Sequence, residues 1–283
     1  MDLRSATCGA RLAVGEGGLA LLGHADDHPD ATYVGASPLA DPAALTVRAF
    51  TSDQLGLGPR GFVPRIAVGG DEVFLESSEP SSPAAVDLRD GSRRGDRSAP
   101  AAELVEAIPG GAVAIATDDE TGVLVLRGGG SVAGVLRPAR WRSVTALAVD
   151  RAGPSSIAWV ESEPSGGGYQ RSVLWSSPLP LDHPGAERRR DASFDDELAS
   201  GGAGLVANRG VALVLAGPTT AWMIRLSDGA TWRVEAEPGE GFVTPLWIDE
   251  DAVWLSAAPL GPSFSAHEAD IVRIGREAWA PRT

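Results

Sequence analysis

The stretch GLVANRGVALVLAGPTTAWMIRLSDGATWRVEA, residues 204–236, shows how this chain is built. It contains four short apolar runs, GLVA, VALVL, AWMIRL and TWRVEA, and none of them keeps the period of a helix. Turn-forming residues separate the runs, beginning with Asn208 and Gly210. Because Gly, Asn and Asp tolerate the positive φ angles of tight hairpins, the stretch predicts consecutive antiparallel strands.

The same unit occurs six times along the chain. In each copy an apolar run meets a Gly- or Asp-rich turn, and a second apolar run follows at once; these second runs begin at Leu19, Val73, Val113, Ile157, Val211 and Val253. Successive copies start 54, 40, 44, 54 and 42 residues apart, a spacing typical of four-stranded propeller blades. The sequence therefore predicts an all-β protein, a six-bladed β-propeller of four-stranded antiparallel blades.

We expect a single domain over residues 1–283, with blades at roughly 9–53, 63–102, 104–141, 144–196, 203–237 and 243–281. The apolar signal for a fourth strand is weak in the second and fourth copies, where the only candidates are Arg-rich stretches around Arg93 and Arg188. A half-solvated edge strand has such a weak apolar signal. The two ends of a closed ring usually share one blade, so residues 2–8 are expected to pair beside the last strand near Trp279.

Two other all-β architectures compete with this prediction. A β-sandwich also has short strands, but it has no reason to repeat one turn-centred unit six times. A ring of five or seven blades is the second alternative, because the outer strands are faint. Long helices are excluded, since 35 Gly and 21 Pro residues would interrupt them.

Composition and charge limit the possible functions. The chain has a net charge of -14, and all 24 of its basic residues are arginine, which indicates a GC-rich bacterial coding sequence. An acidic surface argues against nucleic-acid binding, because phosphates are met by clustered cations. The single cysteine, Cys8, excludes an internal disulfide, and no run of 18 apolar residues is present to span a membrane. We expect a monomer.

The first ten residues, MDLRSATCGA, lack the basic segment and apolar run of a signal peptide. The sequence therefore does not determine the cellular compartment. A chain trimmed to its mature domain would be extracytoplasmic.

Loops that join second to third strands hold the candidate metal ligands. In a propeller these loops share a face with the connections between blades, where ligands commonly bind. The first copy's loop contains HADDHPD and the sixth copy's loop contains PLGPSFSAHEAD, and ring closure would bring them together. Imidazole and carboxylate suit Ca²⁺ or Zn²⁺. The candidate ligands are His24, Asp26, His28, His267 and Asp270. A solvated polar loop is the alternative, since the spacing matches neither a helix-borne zinc motif nor a calcium-binding loop.

Other loops of that face offer ligand-binding side chains. Tyr169 follows the flexible stretch ESEPSGGG and could stack on a sugar or a peptide side chain. Phe264 lies in the sixth copy's loop, and Asp118 and Asp119 add acidic groups from the third copy. These four residues are the predicted binding positions.

Eight tryptophans lie between Trp141 and Trp279. Five of them fall within predicted strands, where we expect core packing between blades: Trp159, Trp175, Trp222, Trp247 and Trp254. Asp249, Glu250 and Asp251 are expected to serve as turn formers in a hairpin on the opposite face.

The repeat resembles the degenerate six-bladed β-propellers of bacterial repeat proteins, TolB-like in outline, over nearly the whole chain. This resemblance implies a protein- or carbohydrate-binding platform in many members, and a hydrolase or lyase in others. We favour a non-catalytic platform that binds a protein or carbohydrate partner through one loop face. A metal-assisted hydrolase or lyase with its site at the channel mouth is the alternative, and a purely structural domain is the third. Fold alone does not choose among them.

Overall fold

The computed structural model describes residues 11–14, 18–25, 28–38, 41, 44–55, 65–76, 84–94, 101–116, 122–127, 131–138, 142–150, 152, 156–164, 170–179, 189–194, 204–261 and 269–281. These residues form an all-β protein of 24 strands, with a one-turn α-helix, α1, at Ser52–Leu55 and a 3-10 helix at Arg276–Ala278. No helix in this part of the chain has the length and apolar character needed to cross a membrane.

Two compact units make up the chain, residues Met1–Arg137 (unit 1) and Pro138–Thr283 (unit 2). In the described residues each unit contains three antiparallel sheets, and each of the six predicted copies forms a separate sheet. The alternation of apolar runs and turns therefore located the sheets correctly.

Unit 1 holds sheets 1 to 3, and within each one the strands pair in chain order. Sheet 1 contains β1 (Arg11–Val14), β2 (Gly18–Ala25), β3 (His28–Pro38) and β4 (Thr46–Thr51); sheet 2 contains β5 (Ile66–Gly69), β6 (Glu72–Leu75), β7 (Ala84–Asp87) and β8 (Arg93–Arg94); sheet 3 contains β9 (Ala102–Ile108), β10 (Gly111–Ala116), β11 (Gly122–Arg127) and β12 (Ser131–Leu136).

Unit 2 holds sheets 4 to 6, of four, five and three strands. Sheet 4 contains β13 (Ser143–Val149), β14 (Ser156–Pro164), β15 (Gln170–Pro178) and β16 (Arg189–Phe194); sheet 5 contains β17 (Leu205–Asn208), β18 (Val211–Leu215), β19 (Thr220–Arg225), β20 (Thr231–Glu235) and β24 (Ala280–Pro281); sheet 6 contains β21 (Glu240–Ile248), β22 (Ala252–Pro259) and β23 (Asp270–Gly275).

Apolar side chains of neighbouring sheets form the core inside each unit. In unit 2, Leu213 and Met223 of sheet 5 pack in one buried cluster with Val253 and Leu255 of sheet 6. In unit 1, Phe74 of sheet 2 packs with the alanines of β10 in sheet 3. Strands packed between neighbouring sheets are buried on both faces, as β6 and β10 are along their whole length.

The end of the chain joins sheet 5 rather than sheet 6. β24 pairs with β20, with Ala280 opposite Arg233. The 3-10 helix redirects the chain after β23, and Trp279 then packs against the core shared by sheets 5 and 6. The sequence had assigned this last segment to the sixth copy. The predicted pairing of residues 2–8 lies outside the described residues.

Candidate functional site

Most residues predicted to bind a ligand or metal lie outside the described residues: Asp26, Asp118, Asp119, Tyr169, Phe264 and His267. The backbones of His24 and His28 lie on β2 and β3, where they pair with Thr32 and Ala25. Asp270 begins β23 as an exposed residue. In the described ranges, no three His, Cys, Asp or Glu side chains converge to hold a metal ion. The metal site and the loop ligands stay predictions.

The described part of unit 2 contains an arrangement of two tryptophans around one carboxylate, which we call the tryptophan–carboxylate cluster: Trp247, Asp249 and Trp254. Trp247 Nε1 donates a hydrogen bond of 2.9 Å to Asp249 Oδ1. Trp254 Nε1 donates one of 2.7 Å to Asp249 Oδ2. Each oxygen of a single carboxylate thus holds one indole ring.

Strand register explains why the two rings meet. Trp247 near the end of β21 is the direct partner of Trp254 on β22, so both side chains lie on the same face of sheet 6. Their neighbours Ile248 and Val253 point to the other face and are buried against sheet 5. Asp249 follows β21 in the hairpin turn, which closes through a hydrogen bond from its N–H to the Ala252 carbonyl.

Trp247 differs from the other strand tryptophans in its exposure. The sequence predicted that it packs in the core, and this was wrong for Trp247, of which 39% is exposed. Trp159, by contrast, is fully buried. A tryptophan two residues before a turn aspartate is the only sequence signal that could have indicated the cluster.

The two indole N–H groups keep the central carboxylate ionised. Hydrogen bonds from Trp254 and Trp247 hold the pKa of Asp249 below its ordinary value, and the positive charges of Arg209 and Arg273 lower this pKa further. Desolvation acts in the opposite direction; its effect on this pKa is smaller than that of either hydrogen bond and larger than that of either arginine. The cluster is therefore an anionic site at neutral pH.

Ion pairs surround the cluster. Arg273 on β23 pairs with Asp251 at 3.0 Å, and Arg209 on sheet 5 pairs with Glu250. Together with Asp249, three carboxylates face two guanidinium groups, which leaves one net negative charge. Exposed ion pairs contribute little to stability, so their main effect here is on the local electrostatic field.

Asp150, which directly follows β13 of sheet 4, organises the turn that carries Arg209. Its Oδ1 accepts the N–H of Arg209 at 2.8 Å and its Oδ2 accepts the N–H of Gly210 at 2.7 Å. Both turn residues have positive φ, 52° at Arg209 and 71° at Gly210, as a two-residue hairpin of the primed type requires. A buried carboxylate at the end of β13 thereby places the arginine that reaches sheet 6.

Unit 1 contains a second polar group that the sequence did not reveal. Glu72 on β6 and Asp87 on β7 are direct cross-strand partners, and both are buried. Arg94 on the edge strand β8 lies 2.6 Å from Asp87 and 3.8 Å from Glu72. Because like charges placed opposite each other destabilise a sheet, the arginine offsets their repulsion. Arg94, which the sequence placed on a half-solvated edge strand, thus pairs with the buried carboxylate of Asp87.

Comparisons with known proteins show the fold alone. AztD from Citrobacter koseri matches with a TM-score of 0.57 and 12% identity, over 96% of this chain and 69% of that one. YCF48 from Cyanidioschyzon merolae matches with a TM-score of 0.52 and 12% identity, over 97% and 88%. A structure of YCF48 bound to a D1 peptide matches with a TM-score of 0.52 and 13% identity, over 96% and 79%.

The chain is thus similar to β-propeller proteins, and its four-stranded antiparallel sheets agree with that class. No protein-family model matches the sequence, and no curated protein sequence is significantly similar to it.

Proposed function

We propose that this protein is a non-catalytic platform that binds a protein partner, with the tryptophan–carboxylate cluster as a contact surface. The observation that carries the proposal is the half-exposed indole of Trp247, which Asp249 holds in a fixed orientation. Tryptophan and arginine dominate the energetic centres of protein interfaces, and a rigid ring loses little entropy on binding. The surrounding ion pairs supply the polar rim that such a centre needs.

A protein partner suits the cluster better than a carbohydrate. Both indole N–H groups and both carboxylate oxygens already bond to one another, which leaves few directed groups for sugar hydroxyls. The exposed ring and the charged rim are well suited to amino-acid side chains. The structure of YCF48 with a peptide offers a precedent within the fold, though not at this surface.

The finer architecture belongs to the same proposal. Six separate sheets, one from each sequence copy, support a six-bladed propeller. The use of arginine for all 24 basic residues supports a bacterial origin, and the TolB-like outline stays part of the proposal. Tyr169, Phe264, Asp118 and Asp119 remain a predicted second contact surface on the loop face.

Differential capture tests the proposal. The wild-type chain would be immobilised and exposed to an extract of the native cell, and proteins that it retains but the bare support does not would be purified. Calorimetry would then measure their direct binding. We expect Trp247→Ala to weaken binding at least about tenfold, as for an interface hot spot.

Leu260→Ala is the matched control, because Leu260 is similarly exposed, at 43%, and lies in the loop after β22. Its affinity should equal that of wild type. Equal affinities for wild type and Trp247→Ala would remove the cluster from the binding surface.

A further inference from the structure

Two tryptophans of unit 2 already carry an arginine over the ring. The Cζ atom of Arg225 lies 5.5 Å from the ring centroid of Trp232, and that of Arg276 lies 6.0 Å from the ring centroid of Trp279. In both pairs the cation lies over a π face, where the ring quadrupole attracts positive charge. These rings are only partly exposed.

Trp247 is more exposed than Trp232 or Trp279, yet within the described residues no guanidinium lies over its ring. The two arginines whose charges act on Asp249 are engaged elsewhere, because Arg209 pairs with Glu250 and Arg273 pairs with Asp251. In the described residues this exposed indole therefore lacks the cation that Trp232 and Trp279 have.

Electrostatics at Trp247 favour a positive charge. Its N–H donates to an ionised carboxylate, which pushes electron density into the ring and strengthens the attraction of the π face for a cation. The cluster and its rim carry one net negative charge, and the whole chain carries -14. Such a field steers basic partners towards the surface.

We propose that Trp247 receives an arginine side chain of the protein partner, stacked on the indole; this inference rests on the proposed function. The guanidinium N–H groups of that arginine are directed to the carboxylates of Glu250 and Asp251. Arginine suits this surface better than lysine, because its planar group stacks on an aromatic ring while its N–H fork bonds in the plane. Glu250 and Asp251 already pair with Arg209 and Arg273, but a carboxylate has further lone pairs, and side-chain exposures of 82% and 75% leave them open to a second donor.

The indole N–H resonances of the ¹⁵N-labelled full chain provide the test. The probe is acetyl-Gly-Arg-Gly-amide, and the control is the same peptide with citrulline, a neutral isostere, in place of arginine. The Trp247 signal is identified by its disappearance in Trp247→Phe. We expect a saturable shift of this signal, with the citrulline peptide binding about twofold to fivefold more weakly.

Two variants locate the binding surface. Trp247→Leu removes the reporting signal, so its peptide binding is followed through the indole signal of Trp254, which shares Asp249. Binding should weaken by a similar factor of about two to five. Glu250→Gln changes only an exposed side chain, keeps the fold testable, and should also weaken binding. Unchanged positions of the remaining indole signals show that each variant is folded. Leu260→Ala should bind the peptide as wild type does.

Three results would overturn the inference: equal affinity for the arginine and citrulline peptides, a shift confined to other indoles, or a Trp247 shift produced by maltotriose and not by the peptide. The proposed function is tested separately. If partner capture depends on Trp247 but the arginine peptide does not bind, the protein-binding function stands and the proposed arginine contact at Trp247 is wrong. If the arginine peptide binds but Trp247→Ala does not affect partner capture, the arginine contact at Trp247 stands. The captured partner then binds elsewhere than at the tryptophan–carboxylate cluster.

Discussion

The side-chain amide of Asn208 donates a hydrogen bond of 2.6 Å from Nδ2 to the main-chain carbonyl of Ile248. Asn208 ends β17 and Ile248 ends β21, so this bond joins sheets 5 and 6 beside the tryptophan–carboxylate cluster. Both residues are 2% exposed. A buried carbonyl whose donor is removed loses a hydrogen bond without gaining water, which makes the contact costly to break.

Replacing Asn208 should therefore destabilise the protein. We expect Asn208→Ala to lower the free energy of unfolding by about 1–3 kcal/mol, because the Ile248 carbonyl would be left unsatisfied. Urea unfolding followed by tryptophan fluorescence measures the change. Thr219→Ala, at an exposed position of the same unit, should stay within about 0.5 kcal/mol of wild type. Equal stabilities of the two variants would show that the bond contributes nothing.

Sheets 2 and 3 approach each other so closely at Gly69 that no side chain fits. A β-carbon there would lie 1.8 Å from the carbonyl oxygen of Gly111. We expect Gly69→Ala to destabilise the chain by at least about 1–3 kcal/mol, the usual cost of overpacking. Gly261→Ala is the matched control, since a β-carbon at Gly261 meets nothing within 4 Å. Thermal unfolding of both variants tests the contact, and a wild-type midpoint for Gly69→Ala would contradict it.

Protonation of Asp249 should weaken the cluster. The pKa of Asp249 is depressed in the folded state, so its contribution to stability is complete above the unfolded value of about 3.9. That contribution is lost as the pH falls through the lower folded value. Asp249→Asn should therefore be less stable than wild type at pH 7, with a difference that shrinks in acid. Urea unfolding of both proteins from pH 7 down through the folded pKa of Asp249 provides the measurement. A stability difference between wild type and Asp249→Asn that does not change with pH would reject the ionised carboxylate.

The predicted metal site has its own test. If His24, Asp26, His28, His267 and Asp270 bind Ca²⁺ or Zn²⁺, the ion will raise the Tm of chelator-treated protein, because a ligand that binds only the folded state stabilises it. The rise should disappear when His24, Asp26 and His28 are all replaced by alanine. An unchanged Tm with either ion would reject the metal site.

Sequence patterns located the strands because the signals are local. The run from Asn208 to Val211 predicted a tight hairpin, and Arg209 and Gly210 both adopt the positive φ that such a turn needs. Edge strands at Arg93–Arg94 and Arg189–Phe194 were also found from weak signals. The path of the chain end was missed, since the pairing of β24 with β20 depends on a redirection at the 3-10 helix.

The candidate site was missed because it depends on contacts across strands and sheets. The sequence by itself determined the all-β class, the six sheets and the hairpin turns, since short apolar runs and turn chemistry act over a few neighbouring positions. Tertiary structure alone decided that Trp247 is exposed, that Asp249 holds two indoles, and that Asp150 places Arg209 beside Glu250. Strand register and sheet packing set these contacts, and neither can be read from the order of residues along one strand.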